Sequence, residues 1–423
     1  MKKSFRILLG RSSVGLLSVL FMIYFAYEFS KVIFALIAMY EVAVSFVKVI
    51  ADVGLHYRKI REAPPLLKDG KIEEAVREII WPAVFTRMVV ALFSSCFFLV
   101  MCTLWRDDLQ VSFPELNITW VIYLCTLHLF FTVCEGILSS VFNVRQLFGT
   151  DAFLETSSNL VERIFATVFY LWLGLNHYFT GITIAMFLTL LVRLYYVRDY
   201  FKYARISELQ LGKMWEVVKV YWPFYLRKFF RLGFKQGEQL IIPAMLPLEQ
   251  LANFRLANKT AGMLRQYIQA FSDPLTVKLS QTRDINVRQN YIRTYLAFTL
   301  PPPIILCILS PWIMPIMGGA KYADAWGIMA VVFGGYIFFS LSALQLTIIS
   351  IFGKPTEFLM RDAVGGVVGL VATFIFISIF GEYGVAWGQT LSYAILFFVG
   401  YRIANRYVKS VRENAVGNNG NNV

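Results

Sequence analysis

The chain has 423 residues, of which 57% are hydrophobic and only 16% charged, with 38 phenylalanines and a mean hydropathy of +0.59. So high an apolar share and so low a charge share exclude a soluble globular protein and leave no stretch for a soluble catalytic domain. The 40 Lys and Arg exceed the 27 Asp and Glu, giving a formal charge of +13, but most of that excess falls in one set of loops, which argues for membrane topology and against nucleic acid as a partner.

Apolar runs recur along the whole length, as an all-α integral membrane protein requires. Twelve spans are predicted, near 13–29, 32–51, 81–104, 118–142, 153–174, 178–197, 220–246, 249–272, 291–316, 326–350, 361–380 and 383–402. The first reads as a retained helix, since no small-residue cleavage site follows it. With the N-terminus inside, roughly 27 of the basic residues fall in inside segments and about three, Lys31, Arg106 and Lys321, outside; both termini are then cytoplasmic. Loop charge does not distinguish twelve spans from ten, because removing 220–272 as a surface hairpin leaves every later loop on the same side. The apolar end Leu240–Leu246 favours insertion.

The segment 198–219 divides the chain into an N-terminal lobe, 1–197, and a C-terminal lobe, 220–402, followed by a cytoplasmic tail, 403–423, with a disordered Gly/Asn-rich end. Between the second and third spans, Lys71 to Arg77 predicts a short helix with local ion pairs. Pro301-Pro302-Pro303 predicts a break in the ninth span. Asn117-Ile118-Thr119 fits a glycosylation sequon. Cys96, Cys102, Cys125, Cys134 and Cys307 lie in apolar runs without metal-ligand spacing and read as buried thiols, so neither a metal site nor a disulfide framework is expected.

Charges inside spans are the functional signal. A cation near the bilayer centre costs about 2.5–3.5 kcal/mol on insertion scales, so such groups face an interior or a wet cavity. Arg227, Arg231, Lys235 and Glu238 fall within about 80° of arc on one helix; Arg255 and Lys259 share a face of the next, flanked by Arg265. Seven cations outnumber the glutamates in this pair and call for an anionic ligand. In the first lobe Glu41, Lys48 and Asp52 form one stripe, His128 and Glu135 a second, and Glu162 belongs to a third with Glu155 and Asn159. Hydrogen bonding between helices is the competing reading of each stripe. Glu135, with no cation within one turn of its own helix, is the expected proton-coupling carboxylate, in contrast to Glu238 beside Lys235.

Several stretches together resemble the multidrug/oligosaccharidyl-lipid/polysaccharide (MOP) exporter superfamily. They are Met317-Gly318-Gly319-Ala320-Lys321-Tyr322-Ala323-Asp324-Ala325-Trp326, Gly353-Lys354-Pro355, the glycine-rich turn Phe380 to Gly388, and Ala51-Asp52-Val53-Gly54-Leu55. Tyr27 to Lys31 departs from the pattern by lacking a glycine. Within the superfamily, the Wzx-type flippases of O-antigen and related repeat units are the most similar. The resemblance implies twelve helices in two six-helix lobes around a central cavity, and alternating access that moves an undecaprenyl-pyrophosphate-linked oligosaccharide to the periplasmic leaflet of the bacterial inner membrane. Arg227, Arg231, Lys235, Arg255, Lys259 and Arg265 would then meet the pyrophosphate. Glu41, Lys48, Asp52, His128, Glu135, Glu162 and Glu238 would line the cavity or couple transport to a proton or sodium gradient. No catalytic residue and no cofactor is implied; membrane lipids, the polymerase and the chain-length regulator of the same pathway are the expected partners. A small-molecule exporter of the superfamily and a membrane enzyme of polysaccharide assembly are the alternatives. The cationic excess disfavours the first, and the short outside loops the second.

Overall fold

The computed structural model describes residues 19–52, 71–144, 148–202, 226, 232, 241–282, 285–352 and 355–419. All regular structure among them is helical. The main elements are α1 (Val19–Glu28), α2 (Lys31–Asp52), α3 (Trp81–Leu104), α4 (Ile118–Val144), α5 (Phe148–Leu173), α6 (Leu175–Phe201), α7 (Leu248–Thr282), α8 (Ile285–Thr299), α9 (Pro301–Gly318), α10 (Trp326–Phe352), α11 (Pro355–Phe380) and α12 (Glu382–Asn419).

Local chemistry sets the helix ends. The Ser30 hydroxyl accepts from the Ile33 amide at 3.3 Å to start α2, and Asn117 accepts from the Trp120 amide at 3.2 Å to start α4. Asn117, read from sequence as a sequon residue, therefore serves as a helix cap. Ahead of α3, Ile72–Ala75 and a π-helical turn, Val76–Ile80, carry the expected local pairs, Lys71–Glu74 at 3.5 Å and Arg77–Glu73 at 3.2 Å. The proline run separates α8 from α9 at Leu300, because three consecutive residues without an amide proton cannot continue the ladder. Gly174 (φ 89°) and Gly381 (φ 57°) reverse the chain between α5 and α6 and between α11 and α12 in the left-handed region. At the other end, α12 runs on to Asn419, through Gly417 and Asn418, which composition assigns to a disordered tail.

The chain divides into two compact units. Unit 1 comprises Met1–Phe21 and Tyr40–Phe229. Within it α4 packs on α3 and α6, and α5 on α6; Val84, Ala91, Val133, Leu138, Phe142 and Leu190 belong to one buried cluster. Unit 2 comprises Met22–Met39 and Phe230–Val423, so α2 contributes to both. Here α10, α11 and α12 pack together and α7 and α9 lie on α10. Backbones approach closely along α11 and α12: Cβ atoms on Gly384 and Gly388 would collide with the backbone of Phe376 and the side chain of Thr373.

Large apolar side chains stand on the outer surface, with Trp172 82% and Phe93 73% exposed, as helices solvated by lipid require. Among the described residues seven helical stretches are long and apolar enough to cross a membrane. The helices α5, α7 and α12, with 26, 35 and 38 residues, are outside that set although each coincides with an expected span. Their polar content is the reason, and much of it is bonded to neighbouring helices. All five cysteines are free thiols; Cys125 and Cys134 are buried as expected, whereas Cys102 and Cys307 are half-buried and Cys96 lies on an exposed face of α3.

Candidate functional site

Each unit contains a polar cluster that must be considered by itself. In unit 1 the stripes expected on α2, α4 and α5 converge. Arg163 Nη2 on α5 contacts Glu41 Oε1 on α2 at 2.8 Å, both side chains being partly buried. The Tyr40 hydroxyl on α2 lies 3.0 Å from the carbonyl oxygen of Cys125 and 2.5 Å from Nδ1 of His128. His128 is buried on α4. On its other edge, Nε2 faces Glu162 Oε1 at 3.7 Å and the Thr132 hydroxyl at 3.4 Å. Periodicity placed His128, Thr132 and Glu135 on one face, and the fold sets Glu162 against that face.

Glu135 has a different neighbour from the one its own helix implies. Arg193 on α6, with no solvent exposure, brings Nε to 2.7 Å from Glu135 Oε1, and its guanidinium stands 5.7 Å from the Phe142 ring centre. Its own helix offers Glu135 no cation within one turn; the cation beside it comes from another helix. Lys48 is exposed, and Asp52 is the last residue of α2.

Two residues of this region escaped the sequence reading. Arg163 completes the pair with Glu41, and Arg87 is buried on α3. The signal for both was present: each is an arginine inside an apolar span, but each sits alone, without the repetition that makes a stripe. Among the described residues, no group of three or more His, Cys, Asp or Glu side chains is placed to hold a metal ion.

In unit 2, α7 carries Arg255, Lys259 and Arg265. Arg255 is buried, while Lys259 and Arg265 are half-buried. Arg265 donates to the Tyr393 hydroxyl on α12 at 2.7 Å and stands 5.3 Å from the Phe339 ring centre on α10. Asn258 accepts from Gln389 at 3.2 Å, and Asn253 donates to Glu382 at 3.0 Å. These bonds tie one side of α7 to α12, so Arg265 is engaged within the helix packing. The remaining members of the expected cationic stripe, Arg227, Arg231, Lys235 and Glu238, lie outside the described residues.

A family described as polysaccharide biosynthesis protein matches residues 1–280. No curated protein matches the chain. Among solved structures, the lipid II flippase MurJ in an inward closed conformation superposes with a TM-score of 0.72 at 13% identity, covering 94% of this chain and 87% of its own. An inward-facing multidrug resistance MATE family transporter of the MOP superfamily gives 0.68 at 12%, covering 95% and 96%. A mutant of the Vibrio cholerae MATE transporter VcmN gives 0.62 at 12%, covering 97% of each chain. At such identities the likeness concerns the fold: this is an all-α membrane protein with the architecture of MOP exporters.

Proposed function

Because the chain belongs to the polysaccharide biosynthesis protein family and has a MOP exporter fold, we propose that it is a flippase for an undecaprenyl-pyrophosphate-linked oligosaccharide, an O-antigen or related repeat unit. The observation that carries the substrate class is the pair Arg255 and Lys259, one buried and one half-buried, on one face of α7. A polyprenyl tail stays in lipid during transfer, whereas a pyrophosphate must cross the hydrocarbon inside a polar path. Guanidinium and ammonium groups supply charge-assisted hydrogen bonds to it. Arg227, Arg231 and Lys235 would extend the same cationic path on the preceding span.

In this reading twelve helices form two six-helix lobes, 1–197 and 220–402, joined by the cytoplasmic connector 198–219, in the bacterial inner membrane with both termini cytoplasmic. The substrate passes from the cytoplasmic to the periplasmic leaflet by alternating access, driven by an ion gradient and without a covalent step. The polymerase and chain-length regulator of the pathway take up the product. The likeness to MATE transporters supports a second reading, a small-molecule exporter; the family match and the cations on α7 favour the lipid-linked sugar.

Deletion of the gene should make lipid-linked repeat units accumulate on the cytoplasmic face and abolish surface polysaccharide. Arg255→Ala and Lys259→Ala, at normal expression, should fail to complement, and Arg255→Lys should complement in part because it loses the bidentate fork. Normal export by both alanine variants would reject the assignment.

A further inference from the structure

We propose that His128 and Glu162 form a dyad that binds one exchangeable proton in unit 1, and that loading and unloading this proton drives the transport cycle. The role rests on the flippase reading above; the proton binding itself does not.

Proton accounting on the hydrogen bonds leads to the dyad. The Tyr40 hydroxyl has one hydrogen; besides the Cys125 thiol, its neighbours are the Cys125 carbonyl oxygen at 3.0 Å and His128 Nδ1 at 2.5 Å. A carbonyl only accepts, so satisfying both contacts sends the Tyr40 hydrogen to Cys125 and makes Nδ1 the donor to the Tyr40 oxygen. In a neutral imidazole the other nitrogen, Nε2, is then a bare acceptor. It faces Glu162 Oε1 at 3.7 Å, so an ionised Glu162 would set two acceptors against each other in a buried site. A single added proton resolves this, whether it resides on Nε2 as an imidazolium beside a carboxylate or on Oε1 as a carboxylic acid facing the imidazole. Both forms have the same net charge, and losing the proton leaves one negative charge. The Thr132 hydroxyl, 3.4 Å from Nε2, can donate to the unloaded nitrogen.

The surrounding charges single out this pair. From α2 come Tyr40, Glu41 and Lys48, from α4 Cys125 and Glu135, from α5 Arg163, and from α6 Tyr178, with Cys102 of α3 behind Cys125. Glu41 is paired with Arg163 and Glu135 with Arg193. Of the three carboxylates, Glu162 is the one set against an imidazole and not a guanidinium. Glu135 is engaged by the Arg193 guanidinium, and the proton-binding role is assigned to His128 on the same face of α4 and to Glu162 facing it.

The test separates proton binding from transport. In the full chain reconstituted in lipid nanodiscs, infrared difference spectra recorded across pH should contain a protonated-carboxyl stretch that shifts in D2O. It should be absent in Glu162→Gln and titrate at a displaced pH in His128→Gln. Tyr40→Phe, a mild change that removes only the hydroxyl fixing the tautomer, should also displace it. In proteoliposomes, flipping of a fluorescent polyprenyl-pyrophosphate disaccharide should accelerate under an imposed pH gradient, and Glu162→Gln and His128→Gln should each lose that acceleration while remaining monodisperse. A titration unchanged in all three variants overturns the dyad. Gradient acceleration that persists in both transport variants overturns its coupling role. Titration at Glu162 in a native protein that flips no lipid-linked sugar upholds proton binding and rejects the substrate assignment instead.

Discussion

Arg193 on α6, which has no exposed surface, holds its Nε 2.7 Å from Oε1 of Glu135 on α4. Each charge is tolerable inside an apolar unit chiefly because the other is there. Removing one partner leaves an uncompensated buried charge, which costs about 3–5 kcal/mol, whereas replacing both with apolar groups is close to neutral. Glu135→Gln and Arg193→Met should therefore each lower stability, and Glu135→Leu combined with Arg193→Met should recover most of the loss. Chemical denaturation in detergent, arranged as a double-mutant cycle, measures this; strictly additive losses would show that the two charges do not interact.

Within unit 2 two helix ends cap each other. Lys321 Nζ donates to the carbonyl oxygens of Tyr27 at 2.9 Å and Phe29 at 2.6 Å, at the end of α1. The Tyr27 hydroxyl is 3.2 Å from the carbonyl oxygen of Pro315 and 3.1 Å from that of Ile316, near the end of α9. The last carbonyls of a helix have few amides left to pair with, and the Pro315 oxygen also accepts from the Gly319 amide at 2.8 Å, so the side-chain caps add to what holds both ends. Tyr27→Phe should cost about 1 kcal/mol, the worth of a neutral hydrogen bond, and Lys321→Met more, because its bonds are charge-assisted. Hydrogen exchange at the amides of residues 30–34 should speed up in both variants, and unchanged protection would dismiss the capping role.

Glycines on different helices should respond in opposite directions. On Gly384 a Cβ would strike the backbone of Phe376 on α11, which no rotamer change relieves, while at Gly334 on α10 no atom lies within 4 Å. Gly384→Ala should destabilise by about 1–3 kcal/mol through forced separation of the helices. By contrast Gly334→Ala should be neutral or stabilise by up to about 1 kcal/mol, through reduced backbone freedom in the unfolded chain. Thermal midpoints in one detergent decide the matter, and equal effects at the two sites would contradict the packing described for α11 and α12.

Orientation follows from the Lys and Arg distribution. Reporter fusions in 106–117 and at Lys321 should read periplasmic, and fusions in 203–219 or at the C-terminus cytoplasmic. A cytoplasmic reading at Lys321 would reject the twelve-helix topology.

Composition and periodicity determined that this chain is a helical membrane protein, because hydrocarbon admits few other solutions for a backbone that must satisfy its own hydrogen bonds. Helix ends were legible where a local residue sets them, as at Pro301-Pro302-Pro303, whose missing amide hydrogens separate α8 from α9. The stripes on α2, α4 and α5 were legible as well, since residues three and four apart share a face whatever surrounds them. Partnership was not legible. Nothing near Glu135 in the sequence announces Arg193, Arg163 meets Glu41 across two helices, and Arg265 turns to Tyr393 and Phe339. Periodicity assigns a side chain to a face of its own helix, but which helix covers that face, and at what height, depends on how the bundle packs. The charge state a buried group can sustain depends on those neighbours, so tertiary structure alone distinguished Glu135, fixed by a guanidinium, from Glu162, set against an imidazole.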